Sequence, residues 1–441
     1  MKIQDIQEKK FAWGGKSFAA PFTSKEVVSV VGSVGGGSRT VRSICGTFTK
    51  QGAEFAKIHA EMLLEGTRTK SKRDIQSILD ELGASLSFSS SPERLLFAAR
   101  VRKKYLPRLL ALIAEILKEP AFKEEELKLL KKREEAALFL EAQDTHEQAG
   151  IGLTRLLYKG GHPNFSESTD ESREVLKHIT AKSLADYHAQ SLDRSSLIVS
   201  FAGDVKSKKL FDLVEKHFAA LPKSRSSLPS FSKAAKSSAK NVFTAIPDKA
   251  GIDYMVGIAP RITNRHRDYP ALLLGIQILG NPGFTGRLMR TVREKEGLTY
   301  VAYSYLSGLQ KKTDGFVSIW SSFAPQLFEK GRAAILREVK LLAQDGATEE
   351  EVEQNRKLYE ARFRVRLSNS GAIARAVHDI AADDYPLSYL ETFPKRILKL
   401  TAGEVNRALK KYLKPGLLAE SAAGPAVHTR NPRIEKMKPK R

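Results

Sequence analysis

The chain has 441 residues, 41% hydrophobic and 28% charged, enough to bury a large core in more than one domain. No stretch approaches the roughly 18 consecutive apolar residues of a membrane-spanning helix. The best, Leu109 to Leu117, is broken by Glu115, so no membrane span is expected. The formal charge of +23 comes from 73 basic and 50 acidic residues, but much of it alternates in sign along segments such as Glu124 to Glu135. No finger, helix-turn-helix or aromatic RNA-binding signature accompanies it, which argues against a nucleic-acid partner.

Met1 to Ile6 run into Glu8-Lys9-Lys10 without the apolar segment and cleavage site of a secretory signal, so a cytoplasmic location is expected. Cys45 is the single cysteine, which excludes an intramolecular disulfide and a cysteine-built metal cage.

In chain order, Val27 to Val31 reads as an apolar strand, and Gly35-Gly36-Gly37 after it lacks the lysine of a phosphate loop and serves a turn. Helices are expected over Glu54 to Leu64 and over Ser71 to Leu82, the second stopped by Gly83. Strands over Ala84 to Ser89 and Arg94 to Val101 follow. Leu106, Leu109, Leu110, Ile113 and Leu117 then recur at helical spacing, and Pro120-Ala121-Phe122 leads into acidic Glu124-Glu125-Glu126. Thr180 introduces a further helix whose free backbone N–H groups it can cap, and Leu197 to Phe201 reads as a closing strand.

Leu221 to Lys240 (LPKSRSSLPSFSKAAKSSAK) is rich in serine and basic residues and contains no acid, the composition of a linker. It divides the chain into domains over 1–220 and 241–428, with a basic tail over 429–441. The second domain repeats the order of the first: a strand over Tyr254 to Ile258, a helix over Gly286 to Lys295 stopped at Gly297, and strands over Thr299 to Leu306 and Gly315 to Ser321. A long helix over Gly331 to Leu342 then precedes Glu349-Glu350-Glu351, and Thr401 caps a last helix. Hairpin strands interleaved with long helices define an α+β fold, a mainly antiparallel sheet with helices on one face, present twice.

His146, His162, His178, His188 and His217 show no pair spaced by three or four, and His266, His378 and His428 are isolated. No Gly-x-Ser-x-Gly nucleophile turn is present. Two local patterns are more informative. Ala60-Glu61-Met62-Leu63-Leu64-Glu65-Gly66-Thr67 lies at the end of the first-domain helix. Arg287-Leu288 with Arg293-Glu294-Lys295-Glu296-Gly297-Leu298-Thr299-Tyr300 lies before the second hairpin.

Together with the repeated order of elements, these segments resemble the insulinase, pitrilysin and mitochondrial-processing-peptidase family over about residues 20 to 425. The resemblance implies a clam-shell of two similar domains around a peptide-binding chamber. Active members carry His-x-x-Glu-His before a Met-Leu-x-x-Gly-Thr segment; the histidines, four apart on one helix, reach one zinc while the glutamate activates water. Anchored on Met62 and Gly66-Thr67, those positions here hold Lys57, Ile58, His59, Ala60 and Glu61, so both ligands and the base are replaced. His59 and Glu61, two apart on a helix, point about 200° apart and cannot share an ion. The family's third ligand, a glutamate on a later helix, lands near Ala137 or Leu138, with Glu134, Glu135 and Glu141 close by.

In the family, an arginine and a tyrosine of the second domain contact substrate and help stabilise the oxyanion, and these match Arg293 and Tyr300. Some members divide the labour between a zinc-bearing chain and an Arg/Tyr chain, and this sequence resembles the second type. By that resemblance the chain binds no zinc and is inactive alone. It would complete the site of a homologous zinc-bearing partner acting on peptide or unfolded protein. The alternative is a structural or binding protein derived from the same fold.

Overall fold

The computed structural model describes residues 3–23, 26–45, 52–223, 231, 233–235, 237–281 and 286–426. The expected basic tail over 429–441 and parts of the expected linker over 221–240 lie outside them.

The first series of elements is β1 (Gln7–Lys10), β2 (Lys16–Pro21), β3 (Val27–Gly35), α1 (Ser38–Cys45), α2 (Ala53–Met62), α3 (Lys72–Leu82), β4 (Ser85–Ser90), β5 (Arg94–Arg102), α4 (Leu106–Lys118), α5 (Glu124–Ala142), α6 (Thr145–Leu157), α7 (Thr169–His178), α8 (Ala181–Ser191), β6 (Ile198–Gly203) and α9 (Ser207–Phe218). The second is β7 (Asn241–Ala245), β8 (Ile252–Ile258), α10 (Tyr269–Gly280), a π-helix (Met289–Lys295), β9 (Ala302–Ser307), β10 (Phe316–Phe323), α11 (Phe328–Asp345), α12 (Glu349–Arg366), α13 (Ser370–Ala382), α14 (Tyr389–Leu398), α15 (Ala402–Tyr412) and β11 (Ala419–Gly424).

The sheets run β1-β2-β6-β3-β5-β4 and β7-β11-β8-β10-β9. Matching β2, β6, β3, β5 and β4 to β7, β11, β8, β10 and β9 makes the two orders the same, with β1 as the one addition. All pairings are antiparallel except β2 with β6 and β7 with β11, which are parallel. The repetition extends to helix ends. Thr180 and Thr401 each form a capping box, with Ser183 and Glu404 respectively.

Three sequence expectations change. Neither half opens with the apolar strand, because β1, β2 and β7 precede it. The second half also has a closing strand, β11, whose small residues Ala-Glu-Ser-Ala-Ala-Gly give no apolar run. The expected helix over Gly286 to Lys295 is a π-helix from Met289, and the strand after it begins at Ala302 rather than Thr299.

The packing units are not consecutive halves. One comprises Met1–Ala137, Asp170–Ser230 and Phe363–Thr392; the other comprises Leu138–Thr169, Phe231–Arg362 and Phe393–Arg441. The chain leaves each unit within equivalent helices, α5 and α12. In consequence α6 packs on β7, β8 and β11, and α13 packs on β2, β3 and β6. Phe18, Val31, Ile198 and Ala202 meet Ile373, Ala374, Val377 and Ala381 of α13. The helical layer expected on one face of each sheet is thus joined by the exchanged helix on the other, which explains why β3 is buried at consecutive positions rather than alternate ones. Gly152 makes the matching contact in the second unit, since a Cβ there would lie 2.2 Å from Ser421 Oγ. The second core is built from Tyr254, Val256, Ile276, Ile335, Val339 and Leu342. No helix among the described residues is long and apolar enough to cross a membrane.

Candidate functional site

Two constellations carry chemistry, one in each unit. The first lies on α2. Its buried residues Phe55, Ile58, His59 and Met62 fix the helix against the core and turn Lys57 and Glu61, four apart, toward one side. α5 supplies the partners: Lys57 Nζ pairs with the Glu134 carboxylate, and Arg133 Nη2 reaches Glu61 Oε2 at 2.9 Å. The Glu134 side chain is 5% exposed, that of Lys57 43%. Desolvation pulls the Lys57 ammonium down, but the hydrogen bond to Glu134, with Glu54 and Glu61 nearby, outweighs it and holds the group above the ordinary lysine range.

The carboxylate offered to the motif is therefore that of Glu134, one helical turn before buried Leu138. Ala60 is buried and brings no base. A cation already occupies the Glu134 carboxylate, and the second ligand position holds an acid bound to a guanidinium. These residues do not fit zinc. Among the described residues no group of three or more His, Cys, Asp or Glu side chains could hold a metal ion. Lys57→Met leaves Glu134 as a buried charge without its ammonium. Urea unfolding of this variant should show a loss of about 2 kcal/mol, below the cost of breaking a fully buried pair because the lysine is half solvated.

His59 is buried, and it meets His188 of α8. His188 Nε2 lies 2.8 Å from the Leu117 carbonyl oxygen and so donates to it. Its Nδ1 then accepts from His59 Nε2 at 2.9 Å, and His59 Nδ1 is a buried acceptor without a partner. Burial, and secondarily the charge of His188, push His59 well below the ordinary histidine range. Burial also lowers His188 to about 4, the Leu117 carbonyl opposing. Sequence spacing gives no sign of this pair, since 129 residues separate the two.

Ser33, His378 and Asp379 reproduce hydrolytic-triad distances: Ser33 Oγ to His378 Nε2 is 2.7 Å and His378 Nδ1 to Asp379 Oδ1 is 3.0 Å. Ser33 is wholly buried in β3 and accepts from Arg94 Nε at 2.5 Å. An oxygen with no solvent access and a guanidinium on its lone pair is not a nucleophile.

The second constellation follows α10. In the π-helix, Glu296 N–H donates to the Thr291 carbonyl and Leu298 N–H to that of Val292, at 3.0 and 2.9 Å. These wide turns end at Gly297, whose φ of 62° is the left-handed conformation that glycine adopts freely. Arg287 is structural. It grips Glu351 of α12 with two hydrogen bonds of 2.7 and 2.6 Å and adds the Gly346 carbonyl at 2.8 Å. Arg293 lies half-buried in the last turn. Thr299 is buried, its hydroxyl donating to the Ser322 carbonyl at 2.5 Å and accepting from Val301 N–H at 3.1 Å. Between these anchors Tyr300 is held off the strand and is 92% exposed.

A doubled α+β fold whose α2 motif positions hold ion pairs, with no side-chain group among the described residues that could hold a metal ion, defines a peptidase-like fold protein. Residues 51–151 match the family described as Insulinase (Peptidase family M16), and residues 178–359 match Peptidase M16 inactive domain. The chain belongs to the peptidase M16, or insulinase, family. It is 22% identical to the non-peptidase homolog YmxG of Helicobacter pylori over 81% of each chain. A 163-residue stretch is 26% identical to the human mitochondrial-processing peptidase subunit beta, covering 36% of this chain and 32% of that one. Among solved structures, a peptidase M16 inactive domain from Pseudomonas fluorescens shares the fold with a TM-score of 0.85 at 24% identity, over 97% of this chain and 100% of that one.

Proposed function

We propose that this chain is a non-catalytic subunit of a heteromeric insulinase-like zinc peptidase, contributing Arg293 and Tyr300 to peptide binding and oxyanion stabilisation. The observation that carries the reading is the contrast between the two constellations. On α2 the metal positions are committed to ion pairs with α5, whereas the anchored Leu298-Thr299 turn holds the Tyr300 phenol in solvent at 92% exposure. An exposed tyrosine contributes little to stability. Its placement by buried neighbours suits a hydroxyl that donates to a developing negative charge. Zinc and its activated water would come from a homologous partner subunit, and the substrate would be a peptide or unfolded protein.

The test uses the assembled complex. Tyr300→Phe should lower kcat by roughly 100-fold, the low end for removal of an oxyanion donor, with assembly and melting temperature unchanged. Arg293→Ala should raise KM more than it lowers kcat, as expected of a grip present in ground and transition states alike. Unchanged kinetics in both folded variants would leave the structural or binding role as the function.

A further inference from the structure

We propose that the outer edge of β7 is a docking site for an extended, acidic strand of a partner protein; this stands independently of the peptidase-subunit reading. The two sheets correspond strand for strand except at this edge. In the first, β1 lies beside β2, with Lys9 opposite Ser17 and Gln7 opposite Ala19. In the second, β7 pairs with β11 alone among the described residues.

The ladder shows which groups are left over. Glu420 N–H donates to the Lys240 carbonyl and Ile246 N–H to that of Gly424, both at 2.8 Å. In a parallel ladder alternate residues turn both backbone groups to the same neighbour. Val242 and Thr244 therefore face β11, while Asn241, Phe243 and Ala245 direct their N–H and C=O groups away from it. Asn241 and Phe243 occupy the places of Ser17 and Ala19, where β1 pairs in the first sheet, and Ala245 that of Pro21, just past the end of β1.

The segment that could have served as a β1 equivalent is held elsewhere. Phe231 packs edge-on against the His162 ring, 5.1 Å between centroids. Ala234 is 2% exposed among Leu153, Tyr158 and Ala259, and its N–H donates to Asp314 Oδ2 at 2.9 Å. The other Asp314 oxygen takes His162 Nε2 at 3.0 Å, so the carboxylate is fully engaged in this clasp.

Edges that stay bare in native proteins are usually blunted by charge, proline or a bulge. β1, the outermost strand of the first sheet, is Gln-Glu-Lys-Lys; β7 is Asn-Val-Phe-Thr-Ala and carries no such device. Three outward N–H/C=O pairs at strand spacing are complementary to another extended backbone. The charge of the occupant follows from its surroundings. Exposed Lys240 immediately precedes β7, no carboxylate occurs between Leu221 and Pro247, and the chain as a whole carries +23.

Residue-resolved hydrogen exchange of the full chain tests this, with a hexapeptide of alternating glutamate and valine as probe. Alone, the chain should exchange the amides of Asn241, Phe243 and Ala245 at least about tenfold faster than those of Val242 and Thr244. The acidic peptide should slow the outward three by about tenfold, and a lysine-valine peptide should not. Ala245→Pro removes an outward N–H without touching the β11 ladder, and should abolish that protection; Asn241→Pro provides the same test at the other end. Lys240→Glu should weaken the acidic peptide by about threefold. The proposal is overturned if the outward amides are already protected in the free chain. Protection that rises with chain concentration, which marks a second copy as the occupant, or equal protection by both peptides would also overturn it.

Discussion

A chain carrying Lys57→His, Ala60→Glu and Glu61→His, with Arg133→Gln to remove the guanidinium that Glu61 holds, should bind about one zinc ion, and the natural chain measured beside it should bind none. Positions 57 and 61 lie on one side of α2, and the Glu134 carboxylate already reaches the first of them. Two imidazoles and that carboxylate make the three-ligand donor set of a catalytic zinc. Metal analysis after gel filtration gives the content, and zinc should raise the melting temperature because it binds the folded chain alone. Adding Glu134→Gln should abolish binding, and adding Leu138→Glu to that chain should not restore it. If Leu138→Glu does restore it, the third position is the one that sequence spacing favours and the Lys57–Glu134 pair is incidental to it.

How far this was legible from sequence depends on the range of the interaction. Capping residues act within one turn, so Ser71, Thr180, Thr401 and the stop at Gly83 mark true helix ends. Replacement of the metal-motif residues is equally local, because three positions on α2, Lys57, Ala60 and Glu61, decide it. Glu134 was one of several acids on α5, and its choice depends on how α5 lies against α2, which no spacing rule supplies. The same holds for His188 and for the exchange of α6 and α13, where the hydrophobic pattern gives an amphipathic helix but does not say which sheet it covers. Tyr300 is a different case. Tyrosine and the β-branched residues beside it favour strand, yet the Thr299 side-chain bonds end the extended run and strand pairing starts only at Ala302.

Acid should destabilise the first unit well above the pH at which carboxylates titrate. His59 and His188 are folded as a neutral pair, with His188 lowered from 6.5 to about 4 and His59 also well below its ordinary value. In the unfolded chain both have ordinary values. Above pH 6.5 neither state binds the protons and the full stability is present. Below it the unfolded chain takes up protons that the native pair refuses, so stability falls until the folded values are reached. The slope is about 1.4 kcal/mol per pH unit for each histidine. Ion-paired carboxylates act later: burial raises Glu351, but Arg287 pulls it below its ordinary 4.5, so its loss begins only beneath that pH. Trp13 lies in the first unit and Trp320 in the second, so a Trp320→Phe chain reports the first unit through Trp13 fluorescence. Between pH 7.5 and 5.5, its urea unfolding free energy should drop by about 1.4 kcal/mol per histidine, or roughly twice that for the pair. His59→Phe keeps an aromatic ring against Tyr187 and Phe122 and should halve the drop. A flat profile over this range, or one that His59→Phe leaves unchanged, would mean that the pair already binds a proton when folded. The shared hydrogen bond would then join an imidazolium to an imidazole, and acid would no longer favour the unfolded state.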